Sequence, residues 1–202
     1  MQPKADSGLR GGAILAGGAG RRMGGALKAG LPLGGETLLA RAARQLAPQA
    51  GPLAVCAGPA PERLAGLIPP GAACLPDPVG GFAGPLAALS AALDWAEAQG
   101  LADLLTVAVD TPFFPRDLGD RLAAGRGAAA AAMAEDDDGL HPTCGLWRVA
   151  LAPEVRAALE AGTRRMTDLA AKTEAVAVRF PGKGAFFNIN RAEDLGRAEA
   201  RL

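Results

Sequence analysis

The residues with the most chemistry to offer stand between positions 15 and 28, in Leu15-Ala-Gly-Gly-Ala-Gly-Arg-Arg-Met-Gly-Gly-Ala-Leu-Lys28. Gly17, Gly18 and Gly20 let the backbone come close to phosphate oxygens and turn successive N–H groups toward them, while Arg21, Arg22 and Lys28 add positive charge. Together they make an anion cradle. Lysine is scarce in this chain, standing only at 4, 28, 172 and 183. A lysine that closes the loop therefore reads as a placed point charge, suited to a spot where several phosphate oxygens converge. Two commoner glycine motifs fail here. A Walker A loop needs Gly-Lys followed by Ser or Thr, but Lys28 follows Leu27 and precedes Ala29; the dinucleotide fingerprint counted from Gly18 needs a sixth-position glycine, where Met23 stands. The bland alternative is a glycine-rich turn joining a strand to a helix, and the basic residues weigh against it.

Asp110, in Val109-Asp-Thr-Pro112, ends the most hydrophobic run of the chain. That places a carboxylate at the carboxyl edge of a sheet, where open α/β folds gather ligands, and one carboxylate with phosphate oxygens and waters is the usual magnesium shell. Its alternative reading is turn or cap chemistry. Asp77, before Pro78-Val-Gly-Gly, starts a turn at the least. His141 is the only histidine, which excludes a histidine-rich metal centre and a metalloprotease helix. In Gly139-Leu-His-Pro-Thr143 it reads as a loop element for structure or recognition rather than a general base. Arg164 and Arg165 read either as solvated charge on a helix or, since they sit at a helix start against the dipole, as a pair whose cost an anionic ligand would offset. Asn188 marks a strand exit, and Asn190-Arg-Ala-Glu193 reads as a capping box. Cys56, Cys74 and Cys144 are too widely spaced for zinc or redox pairs and read as buried thiols. Neither serine, Ser7 nor Ser90, lies in a nucleophile elbow.

The elements that must position these residues alternate between strand and helix, as in an α/β protein with a largely parallel sheet. Strands are expected at 13–16, 53–57, 72–75, 104–109, 144–147 and 176–180, with helices at 37–46, 85–97 and after Asn190. The alanine tract 128–134 reads equally as strand or helix, and the acidic 135–138 with Gly139 as an exposed turn. At 202 residues the chain is expected to form a single domain, 1–202, with a flexible N-terminus over 1–10. No apolar run approaches the roughly 18 residues of a membrane span, and the first residues lack a secretory pattern, so cytoplasmic residence is expected. Lys plus Arg equals Asp plus Glu at 21 each. The overall field therefore favours neither nucleic acid nor an anionic membrane, and any anion site must be local.

The loop Leu15-Ala-Gly-Gly, with Arg22-Met-Gly and then Lys28, resembles the signature of the nucleotidyltransferase family that includes the molybdenum cofactor guanylyltransferases, the related cytidylyltransferases and sugar-phosphate nucleotidylyltransferases. Asp77 followed by Gly84-Pro-Leu-Ala, Val109-Asp-Thr-Pro112, His141-Pro-Thr143, Arg164-Arg165 and Phe187-Asn-Ile-Asn190 with Glu193-Asp-Leu195 follow in the guanylyltransferase order and spacing. The resemblance thus spans nearly the whole chain and implies a Rossmann-like three-layer α/β sandwich of nucleotidyltransferase type.

It implies transfer of GMP from GTP to molybdopterin, or to its molybdenum-loaded form, with Mg2+ as cofactor and pyrophosphate released. Molybdoenzyme chaperones or apoenzymes would be downstream partners. On that reading Arg22, Lys28 and Asp110 are catalytic, and Arg22 and Lys28 hold the triphosphate. Gly17 and Gly18 carry it on backbone amides, Asp110 holds the metal, and Leu15, Ala16, Cys56 and Asp77 complete the nucleotide site. His141, Arg164, Arg165, Asn188 and Asn190 face the pterin substrate. The chain departs from the family pattern at Leu27, where an acidic residue is common, at Val109, where a cysteine is common, and at Cys56, where an asparagine is usual. Two alternatives stay open: cytidylyl transfer to the same cofactor, against which Gly17-Gly18 is the marker, and a non-catalytic nucleotide-binding protein that delivers cofactor.

Overall fold

The structure, a computed structural model, describes residues 10–17, 27–78 and 84–202. Gly18, Gly20, Arg21, Arg22 and the start of the chain lie outside the described residues. Seven strands build the central sheet: β1 (Arg10–Leu15), β4 (Leu53–Gly58), β5 (Ala73–Pro76), β6 (Asp103–Ala108), β7 (Ala131–Asp136), β8 (Gly139–Arg148) and β9 (Val176–Arg179). A two-residue hairpin, β2 (Pro32–Leu33) with β3 (Glu36–Thr37), stands apart from it. The order is β5-β4-β1-β6-β8-β7-β9, with β8 alone antiparallel to its neighbours.

Helices cover both faces. α1 (Leu38–Leu46), α3 (Leu118–Arg126) and α6 (Ala192–Glu199) pack with Ile14, Val55, Leu105, Val107, Ala132 and Ala134 on one side. α2 (Pro85–Ala98), α4 (Ala152–Glu160) and α5 (Met166–Lys172) pack with Ala13, Leu15, Cys56, Leu104, Ala131 and Met133 on the other. Successive residues of a strand thus feed opposite cores, the period-two rule that makes both faces of a parallel sheet apolar. This is the expected three-layer sandwich. The alanine tract resolves as strand β7 for the same reason: Ala131 and Met133 fill one core while Ala132 and Ala134 fill the other. Among the described residues no helix is long and apolar enough to cross a membrane.

Three local expectations are corrected. The His141-Pro-Thr143 segment lies inside β8 rather than on a loop, and the β7–β8 register shifts between Met133 and Ala134, accommodating Pro142 where the ladder is already broken. Asp136, grouped with an exposed turn, is buried, and only Asp137 and Asp138 form the exposed tip. The cap of α6 moves by one residue: Arg191 is the N-cap, and Asp194 Oδ2 accepts from the backbone N–H groups of both Asn190 and Arg191 at 3.0 Å. Asn190 is thereby released for other work.

Candidate active site

The strand order places β4 and β5 on one side of β1 and β6 on the other, so the chain reverses direction of sheet growth between β1 and β6. Open α/β sheets bind ligands in the crevice outside such a switch point, at the carboxyl ends of the strands. Gly17 follows β1 there and Asp110 follows β6. The two strand ends are tied by Val109 N–H donating to the Leu15 carbonyl at 3.1 Å, and Ala16 N–H donates to the Cys56 carbonyl at 2.9 Å. Leu15 and Ala16 are buried, so among the described groups it is Gly17 that opens the loop toward the crevice.

Gly17 has a packing reason to be glycine. A Cβ on it would lie 2.7 Å from Gly58 Cα and 2.8 Å from Gly58 N, inside van der Waals contact with backbone that cannot rotate away. Gly58, at the end of β4, has a φ of 74°, which glycine alone adopts without strain. Its carbonyl accepts from Asp77 N–H at 3.1 Å, bringing Asp77 to the same edge. Burial pushes the Asp77 carboxyl up.

Lys28 enters from the other side. Its short 3-10 turn, Lys28–Gly30, is anchored by the fully buried Ala29 and by Leu27, which packs against the core. The ammonium donates to Asp110 Oδ2 at 2.6 Å and to Asn190 Oδ1 at 3.0 Å, with Lys28 and Asp110 side chains only 14% and 21% exposed. Ile189 N–H donates to the Asp110 carbonyl at 2.8 Å, and Thr111 Oγ1 donates to Asn188 Oδ1 at 2.6 Å. Residues separated by up to 162 positions thus meet within hydrogen-bond distance of one carboxylate or its immediate neighbour.

The expected substrate residues do not form a single cluster. Asn188 and Asn190 join Lys28 and Asp110. His141 pairs with Asp136: its Nε2 lies 2.8 Å from Asp136 Oδ1, and its ring stacks on Phe186 with centroids 4.6 Å apart. Burial works to raise the Asp136 carboxyl, but the hydrogen bond from His141 and the amides of Asp138 and Gly139 outweigh it and hold the group low. Arg164 and Arg165 are both exposed, and the Arg164 carbonyl oxygen lies 3.3 Å from where a Cβ on Gly84, at the start of α2, would stand. The Arg164 guanidinium is engaged with the carbonyls of Leu159, at 2.8 Å, and Thr163, at 2.9 Å, closing the end of α4. Its structural duty went unforeseen. Arg165 is the N-cap residue of α5.

Cys56 is the buried thiol its spacing suggested, which takes its side chain out of the nucleotide site that the resemblance implied. Its side chain is 1% exposed, in the core beneath α2, with the thiol on the Ala88 carbonyl at 3.4 Å, and burial pushes the thiol up so that it stays protonated. Only its backbone carbonyl takes part in the strand-end arrangement. Cys144 is likewise buried, pushed up to about 12, and Val109 is a core residue. Cys74, expected to be buried, is exposed on the edge strand β5. Sequence reasoning missed Thr111 and Gly58. Thr111 was signalled by its place beside Asp110, and Gly58 by its strand-end position facing the glycine loop.

Among the described residues no three His, Cys, Asp or Glu side chains converge to cage a metal. The donor set among the described residues fits magnesium bound partly by substrate: one carboxylate at a sheet edge, partly open to solvent, with the Lys28 ammonium beside it.

Fold and site define an α/β nucleotide-binding protein of the nucleotidyltransferase type. Residues 12–176 match the family model of the MobA-like NTP transferase domain, and the chain belongs to that family. The molybdenum cofactor guanylyltransferase of Cereibacter sphaeroides is 48% identical over 192 residues, covering 95% of this chain and 96% of the relative. That of Rhodobacter capsulatus is 46% identical over 193 residues, covering 95% of each. Molybdopterin-guanine dinucleotide biosynthesis protein A from Archaeoglobus fulgidus superimposes with a TM-score of 0.73 at 23% identity, over 96% of this chain and 98% of the other. 2-C-methyl-D-erythritol 4-phosphate cytidylyltransferase from Thermus thermophilus does so at 0.66 and 24%, over 96% and 100%. These last two share the fold.

Proposed function

We propose that this chain, acting as one nucleotidyltransferase unit, transfers GMP from GTP to molybdopterin or its molybdenum-loaded form. An oxygen of the acceptor's terminal phosphate attacks the α-phosphorus of GTP; the new P–O bond forms as the bond to pyrophosphate breaks. The observation that carries the reading is the Lys28–Asp110–Asn190 cluster at the β1/β6 switch point, the edge at which Gly17 follows β1. The curated relatives supply the identity of the nucleotide and the acceptor.

Such a transfer asks the protein for in-line positioning and charge stabilisation rather than covalent chemistry. Gly17 and Gly18 present backbone amides to the triphosphate, and Arg22 and Lys28 neutralise it. Asp110 would hold Mg2+, which would offset charge on the phosphate oxygens and the leaving pyrophosphate. Asp77 borders the nucleoside, and Asn188, Asn190, His141 and Arg165 serve the acceptor. A GTP-consuming step of this kind belongs in the cytoplasm, and molybdoenzyme chaperones or apoenzymes would take the product. The test is a binding screen with GTP, CTP, ATP and UTP, each with magnesium. Selective binding of GTP is expected; preference for CTP would reassign the chain to cytidylyl transfer.

A further inference from the structure

Thr111 is one of five polar or charged residues in the buried set, with 1% of its surface exposed, and among the described residues its hydroxyl has a single partner, Asn188 Oδ1 at 2.6 Å. We propose that Thr111 is a positioning residue for the acceptor substrate: with Lys28, it fixes the amides of Asn188 and Asn190 so that both present N–H donors to a phosphate monoester. The inference rests on the assignment of the acceptor phosphate to this side of the crevice.

The donors and acceptors around the two asparagines decide how their amides turn. A lysine ammonium has donors only, so Asn190 must turn its Oδ1 to Lys28, which leaves its Nδ2 hydrogens facing away. A hydroxyl can donate or accept, but Thr111 is buried and, among the described residues, its O–H has no acceptor other than Asn188 Oδ1, so turning the Asn188 Nδ2 inward would strand that donor. Between them Ile189 is fully buried and its N–H is bonded to the Asp110 carbonyl, so the segment is pinned by its middle residue while both asparagines remain exposed. Two amides held this way, one of them on the Lys28 ammonium, make a donor surface matched to a tetrahedral oxyanion. With the opposite orientation Asn188 would present its carbonyl oxygen and repel the same ligand. Holding the amides before binding removes an ordering cost that the acceptor would otherwise have to meet.

Thr111→Val removes the hydroxyl at nearly constant volume, and because Asn188 is exposed its freed amide can hydrate. In equilibrium titrations with molybdopterin and with GTP, Thr111→Val should weaken molybdopterin about tenfold while GTP affinity and thermal midpoint hold, and Thr111→Ser should restore binding. Thr111→Ala serves as a second hydroxyl deletion if valine disturbs the packing. The double variant Thr111→Val with Asn188→Ala should bind molybdopterin no worse than Asn188→Ala alone, since the hydroxyl acts through that amide. Equal losses for GTP and molybdopterin, or additive losses in the double variant, would overturn the role of Thr111. If Asn188→Ala weakens molybdopterin binding and Thr111→Val does not, Thr111 alone loses its assignment. If Asn188→Ala has no effect, the acceptor side itself has been misplaced.

Discussion

Replacing Lys28 by Met keeps the length of the side chain and removes its charge, which should move two binding equilibria in opposite directions. The ammonium lies 2.6 Å from Asp110 Oδ2 with both side chains largely shielded. At an effective dielectric of about 20, unit charges at that separation attract by roughly 6 kcal/mol, and desolvation of the two groups offsets most of this. A net loss of about 1–3 kcal/mol on removing one partner is expected, and at roughly 2–4 °C per kcal/mol for a chain of this size the thermal midpoint should fall by about 2–12 °C. Loss of a charge-assisted contact to the triphosphate, worth about 1.5–3 kcal/mol, should weaken GTP about 10- to 150-fold. The released Asp110 carboxylate should bind a divalent ion more tightly in the absence of nucleotide. Calorimetric titration with metal-free GTP, then with Mn2+ alone followed by paramagnetic resonance, reads both. Unchanged GTP affinity, or weaker binding of Mn2+ alone, would refute the reasoning.

Asp110→Asn keeps the shape of the strand end but offers magnesium a neutral amide, so pyrophosphate release should drop by at least about a hundredfold while metal-free GTP binding persists; near-normal turnover would exclude Asp110 as the metal ligand. Burial raises the Asp77 carboxyl, so its ionisation works against folding: stability from this group is full below its unfolded value, about 4, and is lost as pH rises through the raised folded value. Asp77→Asn should therefore raise the thermal midpoint at pH 7 and flatten its dependence above pH of about 4, while weakening GTP; a lowered midpoint in thermal scans at several pH values would contradict the burial argument. Gly17→Ala drives a Cβ into the Gly58 backbone, at 2.7 Å from its Cα, and should cost about 1–3 kcal/mol with a parallel loss of GTP affinity. Gly196→Ala, where a Cβ meets nothing within 4 Å in a helix, should stabilise by about 0.5–1 kcal/mol and serve as the control in the same calorimetry.

The layers were legible because apolar strands between glycine-rich turns and alanine-rich helices carry strong local signals, and Asp110 could be placed at a strand end from the run of Leu104, Leu105 and Val107 alone. Other features depend on neighbours far along the chain. The alanine tract declared itself a strand only through the two cores that its alternate residues fill. Pro142 masked the length of β8, since a proline in a strand is tolerated only where the ladder is interrupted, and the interruption depends on β7. Within the site, the residue types of Lys28, Asp110 and Asn190 were informative but their mutual contact was not, because Asn190 comes from the segment before α6. Cys56 shows the same dependence: β4 alternates between faces, and its phase sends that thiol under α2, as the buried-thiol reading expects and not as the resemblance to the family implied. Arg164 looked like an anion ligand because arginine at a helix boundary serves equally well as a cap for the preceding helix, and only the carbonyls of Leu159 and Thr163 decide between them.

The central claim is that the Lys28–Asp110–Asn190 crevice joins a guanylyl group to a phosphate. The most direct measurement is to incubate the protein with GTP, molybdopterin and magnesium, quantify pyrophosphate and the guanine dinucleotide product, and repeat with CTP and without metal. The account predicts one pyrophosphate and one dinucleotide for each GTP consumed, dependence on the divalent ion, and far slower turnover of CTP. GTP binding without product, in the presence of acceptor and metal, would contradict it and leave a nucleotide-binding protein in place of a transferase.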